Sequence, residues 1–446
     1  MASSIVHALV FCFVAGVLLC GGRAHHNRDQ SATVHDVTEY GAAPGNGDST
    51  AAFLSAWRAA CDSTSGHATL RIPRGTFAVG AVEFQGPCVN GGAPAVVIEG
   101  VLQPCAFHRS DDAWITFRGL NGLLVTGDGT LDGQGDRRSG GKSNKSKTTS
   151  LVLEDVTNST VRGLRLVNSR GFHVNLRRCS RVAAEGLGIH APADSRNTDG
   201  IHVGLSSHVR ILDSVIGTGD DCVSVGPGST DVVVSGVVCG PGHGLRSIDR
   251  SRRQSAEDLL IGRARRERET ETHMPACCVA FCSVGSLGKG GGEADVVGLV
   301  VKNCTVKGTT NGVRIKTWPG SPPSRASNIT FQDIAVVNVS RPIVIDQRYC
   351  PHGHCSDADK PSLVQISDVT FQRIEGTSSS RMAVQLLCSE DRPCTGVLLD
   401  GINLTCGHHP CRSHFSNVQG TPAASVVAIP APRREEEAAD VGSTQR

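Results

Sequence analysis

The chain has 446 residues and carries 44 Lys+Arg against 42 Asp+Glu, for a formal net charge of +2. This near balance argues against a nucleic-acid-binding protein and against a polybasic protein that binds a membrane surface. The 52 glycines, the aromatic content of only 4% and the abundance of Val, Ile, Thr and Ser favour many short strands and tight turns over long helices.

The N-terminus is predicted to be a secretory signal. An apolar stretch runs from about Ile5 to Leu19 and small residues follow up to Ala24, which predicts a signal peptide over 1–24 with cleavage near Ala24. A membrane anchor is the weaker alternative, because the stretch is short and His7 interrupts it. We therefore expect a secreted, extracellular protein that has no membrane association after cleavage.

The cysteines and the glycosylation sequons fit an exported protein. Sixteen of the 18 cysteines lie beyond the signal, so disulfide bonds are possible in an oxidising compartment. Asn-X-Ser/Thr triplets are acceptors for glycosylation in secreted proteins. Six occur, at Asn144, Asn158, Asn303, Asn328, Asn338 and Asn403.

The middle of the chain repeats with a period in the low twenties. Each unit has a small polar start, a valine, alternating apolar residues, a turn and another short strand. The valines that we take as equivalent are Val161, Val182, Val209 and Val232, with steps of 21, 27 and 23 residues. Such a period, without helical phase, is typical of a solenoid of strands, in which stacked coils bury a ladder of apolar side chains.

This repeat predicts an all-β chain in which each strand pairs in parallel with the same strand of the next coil. We expect a parallel β-helix of roughly ten coils over 25–420. An antiparallel sandwich is the weaker alternative, because regular two-residue hairpin loops are missing. The Pro/Ala-rich and then charged tail over 421–446 is expected to be disordered.

Three short motifs fall on successive coils. "NTDG" contains Asp199, "GDDC" contains Asp220 and Asp221, and "GHG" contains His243. The steps from Asp199 to Asp221 and from Asp221 to His243 are both 22 residues, so a solenoid of that period stacks these side chains on one face. Clustered carboxylates raise at least one apparent pKa, which lets one site supply both a proton donor and a proton acceptor.

A pair of cations follows in "NGVRIKTWPG". Arg314 and Lys316 are two residues apart, so on a strand they point to the same side. Alone they would be ordinary solvated charges. Beside an acidic site they suit an anionic substrate, since Arg can grip a carboxylate through two hydrogen bonds. Acidic catalysts flanked by cations fit a sugar polymer that carries carboxylates.

The motifs together resemble plant polygalacturonase, the pectin-hydrolysing family of glycoside hydrolases. "DGQG", "NTDGIHV", "TGDDCVSV", "CGPGHG", "NGVRIKTW" and "RPIVIDQRYC" occur in that order, and as a set they are far more specific than any one of them. The resemblance runs from about Val34 to Leu404. It implies a right-handed parallel β-helix that hydrolyses α-1,4-galacturonan with inversion and with no metal or other cofactor. It also implies a monomer whose partner is the pectin of the cell wall.

The resemblance assigns roles residue by residue. Asp220 matches the general acid that protonates the leaving oxygen, and Asp199 and Asp221 match the pair that activates water. His243 matches a histidine that supports the protonation of the acid. The substrate-binding residues that it implies are Arg314 and Lys316 for the galacturonate carboxylate, Tyr349 as a lining of the groove, and Asn197.

The resemblance also implies disulfide bonds. One would join the coils that carry Asp221 and His243, and three would close small local loops. The implied pairs are Cys222–Cys239, Cys350–Cys355, Cys388–Cys394 and Cys406–Cys411.

One segment departs from the family pattern. Residues 246–282 carry eight Arg and six Asp/Glu in 37 positions, and they interrupt the histidine motif, which resumes at Ser283. Excising them restores the motif and shortens the separation of His243 and Arg314 from 71 to 34 residues. Our hypothesis is that the segment is retained intron sequence or a gene-model error. Because it leaves from beside the predicted groove, we expect reduced or lost activity in this chain.

Two smaller departures from the family pattern also argue for reduced activity. Arg196 stands where the family has proline, and the tryptophan pair usual after "DGQG" is absent. The leading interpretation is a secreted polygalacturonase. A pectin-binding β-helix disabled by the insert is the second, and a calcium-dependent polysaccharide lyase on the same fold is the third and is opposed by the motifs. Endo or exo attack stays open.

Overall fold

The chain winds through two parallel β-sheets, and each turn of the coil contributes to both. The structure is a computed structural model that describes residues 33–64, 68–105, 113–135, 148–240, 280–351, 355, 357–419 and 426–428. The predicted signal peptide over 1–24, His243 and most of the 246–282 segment lie outside the described residues.

The described elements comprise one 3₁₀ helix (Val37–Tyr40), one α-helix, α1 (Thr50–Cys61), and 33 strands. The strands in chain order are β1 (Thr33–Asp36), β2 (Gly45–Asp48), β3 (Ala68–Ile72), β4 (Thr76–Val79), β5 (Val82–Gln85), β6 (Ala95–Ile98), β7 (Val101–Pro104), β8 (Ala113–Arg118), β9 (Leu124–Thr126), β10 (Thr130–Asp132), β11 (Thr149–Glu154), β12 (Thr157–Arg162), β13 (Arg165–Val167), β14 (Val174–Arg177), β15 (Ser180–Glu185), β16 (Gly188–His190), β17 (Ile201–Gly204), β18 (Ser207–Leu212), β19 (Val215–Gly217), β20 (Val223–Val225), β21 (Thr230–Ser235), β22 (Val238–Cys239), β23 (Ala280–Leu287), β24 (Val296–Lys307), β25 (Asn311–Thr317), β26 (Ser324–Val339), β27 (Arg341–Asp346), β28 (Val364–Ser378), β29 (Met382–Leu387), β30 (Cys394–Thr405), β31 (Arg412–Ser416), β32 (Val418–Gln419) and β33 (Val426–Ala428).

The smaller sheet contains one strand from each coil, so its strands give the number of coils. It contains 11 strands, each paired in parallel with the next, in the order β5, β8, β11, β14, β17, β20, β23, β25, β27, β29 and β31. The remaining 22 strands form the larger sheet. The architecture is the predicted right-handed parallel β-helix, and its eleven-stranded sheet agrees with the expected number of coils.

The core is a ladder of stacked apolar side chains. Val182, Val209 and Val232 lie directly above one another on β15, β18 and β21, and each is almost fully buried. Further along, the rings of Phe331 and Phe371 stack with centroids 5.3 Å apart. Stacking of like residues in successive coils makes one continuous core, as the repeat predicted.

The assignment of Val161 to this ladder was wrong. On β12 the residue that pairs with Val182 is Ser159, while Val161 pairs with Ala184, two positions further. Ser159 is buried and its hydroxyl accepts a hydrogen bond from the Leu123 N–H at 2.9 Å. A serine whose polar group is satisfied in this way can occupy a core position, and the apolar pattern alone shifted the register by two residues.

Helix α1 packs against the first coils, a feature that the strand-rich composition did not indicate. The Trp57 ring lies 5.0 Å from that of Phe84 and 5.9 Å from that of Phe117. A disulfide bond between Cys61 and Cys88 fastens the C-terminal end of the helix. The terminal coil of a solenoid needs such a cap, because its apolar interior would otherwise meet water. No described helix is long and apolar enough to cross a membrane.

A left-handed backbone conformation recurs at one corner of successive coils. The strand pairing skips one residue there, as between the Thr157–Ser180 and Ser159–Val182 pairs. Asn and Asp tolerate this conformation better than most residues, and Gly adopts it freely. The positions are Gly122, Asn158, Arg181, His208, Asp231, Gly298, Asn328, Asp368 and Gly396.

The structure joins all four cysteine pairs that the resemblance implied. They are Cys222–Cys239, Cys350–Cys355, Cys388–Cys394 and Cys406–Cys411. The fifth bond, at helix α1, was not foreseen. Among the described cysteines, Cys105, Cys179, Cys282 and Cys304 are free thiols.

The tail expected to be disordered over 421–446 contains one short strand. β33 pairs in parallel with β30, through Ile402–Val426 and Leu404–Ala428, so the coil continues a few residues further than the predicted boundary at 420. The exposed sheet edge of the last coil offers unpaired backbone groups that such a strand can satisfy. The rest of the tail after Gln419 lies outside the described residues.

Candidate active site

Two of the predicted acidic residues stack in neighbouring coils. Asp199 and Asp221 each stand two residues before a strand of the smaller sheet, β17 and β20. The Gly200 N–H donates to the carbonyl oxygen of Asp221 at 2.9 Å. The 22-residue spacing therefore produces the predicted stacking of these two residues. Glycine is needed at Gly219, where a Cβ would collide with the carbonyl of Ser195.

The three carboxylates form one electrostatic cluster. Asp199 is 7% and Asp221 only 1% exposed, while Asp220 is half-buried. Burial first, and then the charges of Asp220 and Asp221, raise the pKa of Asp199 well above its usual range. Burial and the charge of Asp221 raise the pKa of Asp220 to about 6. A carboxyl group with such a pKa still holds its proton in mildly acidic solution.

Both predicted cations lie against this cluster and bind one of its members. On β25, Arg314 donates through Nη2 to Oδ1 of Asp221 at 3.1 Å, and Lys316 donates through Nζ to Oδ2 at 2.8 Å. Arg314 is 2% and Lys316 is 7% exposed. The two cations thus point to the same side of the strand, as their spacing predicted, and each holds one oxygen of the same buried carboxylate.

The other two predicted substrate-binding residues lie in different surroundings. The Tyr349 ring is 5.6 Å from Cζ of Arg314 and 5.1 Å from Nζ of Lys316, so it lies beside the cations. Asn197 is exposed and has a positive φ of 56°, two residues before Asp199. The structure brings Tyr349 into the cluster and leaves Asn197 on the turn that leads to it.

His243, the fourth catalytic residue predicted, lies outside the described residues. The strand that follows β20 in the smaller sheet is β23, and its Cys282 pairs with Val223. Asp221 precedes Val223 by two residues, just as Ala280 precedes Cys282. Counting back two residues from the Val223–Cys282 pair aligns Asp221 with Ala280 of the 246–282 segment.

Two residues that the sequence analysis did not single out touch the cluster. Ser224 donates through Oγ to Oδ2 of Asp199 at 2.6 Å, and Nδ1 of His202 lies 2.8 Å from the same Oγ. Each stands three residues after its aspartate, Asp199 for His202 and Asp221 for Ser224. That shared offset inside "NTDGIHV" and "TGDDCVSV" was the available signal.

A second buried histidine fixes the backbone of Asp199. Nδ1 of His173 lies 3.1 Å from the carbonyl oxygen of Asp199, which can only accept, so Nδ1 carries a proton and donates it there. Nε2 lies 3.3 Å from the backbone nitrogen of Ser169 and 3.3 Å from the carbonyl oxygen of His190. Burial lowers the pKa of His173 to about 4, and the ring is neutral at higher pH. It acts on the loop rather than on the carboxylates.

An aromatic pair extends the cationic side of the cluster. Trp318 meets Tyr349 edge to face, with ring centroids 5.4 Å apart, and Nζ of the exposed Lys289 lies 5.4 Å from the Trp318 ring. Within the described ranges, no group of three or more His, Cys, Asp or Glu side chains is arranged to hold a metal ion. Chemically, the arrangement offers proton donors and acceptors next to buried positive charge.

Comparison with known proteins gives consistent matches. Residues 61–259 and 281–426 match the sequence model of "Glycosyl hydrolases family 28", and the unmatched stretch between them lies inside the 246–282 segment. An exopolygalacturonase of Platanus acerifolia is 39% identical over 404 residues, covering 88% of this chain and 96% of that protein. A polygalacturonase of Nicotiana tabacum is 38% identical over 408 residues, covering 89% and 91%.

Solved structures share the fold at low sequence identity. An endo-xylogalacturonan hydrolase from Aspergillus tubingensis superposes with a TM-score of 0.68 at 21% identity, covering 90% of this chain and 100% of that one. A polygalacturonase from Erwinia carotovora ssp. carotovora gives a TM-score of 0.62 at 20% identity, covering 87% and 96%. These two similarities establish the parallel β-helix architecture.

Proposed function

Since the chain belongs to glycosyl hydrolases family 28, we propose that it is a secreted polygalacturonase that hydrolyses the α-1,4-galacturonan of pectin. The reaction is a general acid/base hydrolysis with inversion at the anomeric carbon. The observation that carries this proposal is the cluster of Asp199, Asp220 and Asp221 with Arg314 and Lys316. An acidic site with buried positive charge suits a polymer whose every sugar carries a carboxylate.

Asp220 is the general acid. It is the most exposed of the three carboxyl groups, so a glycosidic oxygen can reach it. Its pKa of about 6 leaves it protonated in mildly acidic solution, and the proton passes to the leaving oxygen as the glycosidic bond breaks.

Asp199 and Asp221 activate the attacking water. An inverting glycosidase needs a carboxylate that takes a proton from water on the face of the sugar opposite to the acid. The ion pairs to Arg314 and Lys316 hold the carboxylate of Asp221 in place. Asp199 accepts from Ser224 on one oxygen, and both carboxylates therefore present fixed orientations to the water.

Arg314, Lys316, Tyr349 and Asn197 bind the substrate. A galacturonate carboxylate next to the two cations is attracted to them, and the Tyr349 ring beside both cations offers a flat face for a sugar. Asn197 lies on the exposed turn before Asp199, where a polymer lying across the coils would meet it. Neither a metal nor another cofactor takes part in this scheme.

A second candidate function is a pectin-binding β-helix with little or no turnover. The observation that favours it is the pairing of Cys282 with Val223, which by counting aligns Ala280 with Asp221, where the uninterrupted motif would carry His243. Alanine has no ring nitrogen with which a side chain could support the protonation of Asp220. We propose that the 246–282 segment is retained intron sequence. In this second function it abolishes turnover and leaves pectin binding intact.

The protein is proposed to act as a monomer in the cell wall after loss of the 1–24 signal. The five disulfide bonds among the described residues fit an oxidising compartment. Five sequon asparagines are exposed on the described surface and accessible to glycosylation. They are Asn158, Asn303, Asn328, Asn338 and Asn403.

The test is the release of reducing ends from polygalacturonate by the purified chain and by its Asp220→Asn variant. We expect the variant to lose at least about 10²-fold in rate, the lower end of what a positioned acid contributes. Asp213→Asn, at an exposed left-handed turn position that asparagine tolerates, is the matched control. Full activity of Asp220→Asn removes Asp220 from its role, and pectin binding without turnover in the unaltered chain identifies the second candidate.

A further inference from the structure

Two consecutive hydrogen bonds connect Asp199 to Ser224 and Ser224 to His202. His202 on β17 and Ser224 on β20 are paired in register. Oγ of Ser224 lies 2.6 Å from Oδ2 of Asp199 and 2.8 Å from Nδ1 of His202. Ser224 is buried, so its hydroxyl depends on these partners rather than on bulk water.

The direction of the protons follows from the chemistry of the groups. When Asp199 is ionised, as its proposed role as a base requires, its carboxylate can only accept hydrogen bonds, so the single proton of the Ser224 hydroxyl points to Asp199. The lone pairs of that hydroxyl then face His202, whose Nδ1 must carry a proton and donate it. The arrangement therefore selects the Nδ1–H tautomer of His202 and leaves Ser224 no freedom to rotate.

The ring of His202 packs on an aromatic neighbour. It stacks on Phe172, with ring centroids 4.9 Å apart. Gly226 leaves room for the edge of the ring, since a Cβ there would lie 3.2 Å from Cε1 of His202. Burial lowers the pKa of His202 to about 4, so above that pH the ring is a neutral donor in one orientation.

We propose that Ser224, held by His202, is a positioning residue that keeps the carboxylate of Asp199 oriented and ionised for the activation of water. The inference rests on the proposed function of Asp199 as a base. Ser224 touches neither substrate nor reacting atoms in this scheme and acts only through Asp199.

Asp199 needs this support because its surroundings otherwise favour the protonated form. Burial and the negative charges of Asp220 and Asp221 oppose its ionisation, and the hydrogen bond from Ser224 and the charge of Lys316 favour it. His173, on the neighbouring coil, contacts only the backbone oxygen of Asp199. Ser224, by contrast, is a neutral side chain that hydrogen-bonds the carboxylate of Asp199 directly.

The first test is the pH dependence of kcat/KM for the full chain and for Ser224→Ala. A base must be deprotonated to act, so a higher pKa of Asp199 moves the acid limb of the profile to higher pH. We expect an upward shift of about one pH unit, the size of effect that one hydrogen bond to a charged group supports. Ser224→Thr keeps a hydroxyl and restores the limb. Ser229→Ala, at a buried serine that donates to the Val203 carbonyl, leaves it unmoved.

The second test needs no turnover and uses the same full-length protein. Urea midpoints are compared for Ser224→Ala, Asp199→Asn and the double variant. If Ser224 acts on the carboxylate, the loss caused by Ser224→Ala shrinks when Asp199 is already Asn, because the charged acceptor is gone. Additive midpoint losses, or an acid limb that stays in place in Ser224→Ala while the rate falls at every pH, overturn the proposal.

The two proposals fail in different ways. If Asp199→Asn retains turnover, Asp199 is not the base, and the role proposed for it in the reaction is wrong whatever Ser224 does. If Asp199→Asn is inactive, but Ser224→Ala shows an unmoved limb and additive losses, only the positioning role is wrong.

Discussion

Removal of residues 246–282 places Ser283 directly after Leu245. Because 37 residues are taken out, residues 243–245 move into the strand positions that 280–282 now occupy on β23. Cys282 pairs with Val223 in the present chain, so His243 arrives level with Asp221, one coil above it.

The expected effect is a gain in the rate of pectin hydrolysis. In the shortened chain His243 takes the backbone position of Ala280, and of these two residue types only histidine has a ring nitrogen that can support the protonation of Asp220. A positioned proton-transfer side chain contributes about 10²–10⁴-fold to a rate. We expect the shortened chain to exceed the full chain by at least the lower end of that range.

The assay compares initial rates of reducing-end release from polygalacturonate below pH 6, where Asp220, with its pKa of about 6, holds its proton. The matched control is the same deletion combined with His243→Ala, which should return the rate to that of the full chain. Thermal unfolding establishes that every variant is folded, since the deletion also removes the buried Phe281. A folded deletion variant that is no faster than the full chain refutes the reasoning. A gain that survives His243→Ala refutes it as well.

Three further outcomes are expected. As pH rises through about 6, kcat/KM should fall, because Asp220 loses the proton it must donate; a pH–rate profile that stays level there contradicts its role as the acid. Lys316→Ala should lower the free energy of unfolding in urea by about 3–5 kcal/mol, because the buried carboxylate of Asp221 then loses one of its cations. The control is Lys302→Ala at an exposed position, which should change the free energy of unfolding by less than about 0.5 kcal/mol. Equal losses for the two lysines would show that the ion pair does not stabilise the fold. Replacing Cys61 and Cys88 together by Ala should cost about 3–4 kcal/mol, as expected for a cross-link of 27 residues' separation; a loss under about 1 kcal/mol would show that helix α1 is held by its packing alone.

Electrostatic coupling links the first two of these outcomes. Asp221 is paired with Lys316 and Arg314, and its charge is a cause of the raised pKa of Asp220. If Lys316→Ala weakens the hold on Asp221, the profile of that variant should change in position as well as in height. An identical profile would show that the cation stabilises the fold without tuning the acid.

The sequence alone determined the coil and most of the site. The alternation of apolar residues with a period in the low twenties is a property of the chain itself, and only stacked strands can bury such a pattern. The 22-residue step between Asp199 and Asp221 equals one turn, so their stacking follows from counting. Likewise, the spacing of Arg314 and Lys316 on one strand fixes them on one side.

Tertiary structure decided what a periodic pattern leaves ambiguous. The inward position of Ser159 depends on the Leu123 N–H of the preceding coil. Hydrophobicity alone therefore favoured Val161, rather than Ser159, as the residue level with Val182. Helix α1 caps the coil through contacts of Trp57 with two different strands, which no local signal encodes. Both features arise from neighbours that are distant in the sequence.

The same reason separates the predicted from the unforeseen parts of the site. That Arg314 and Lys316 hold Asp221, and that Ser224 joins His202 to Asp199, depends on which atoms meet across adjacent coils at hydrogen-bond distance. Sequence spacing places a side chain on a face of the solenoid. Its partner is chosen by register, rotamer and burial, and these are fixed only when the coils stack.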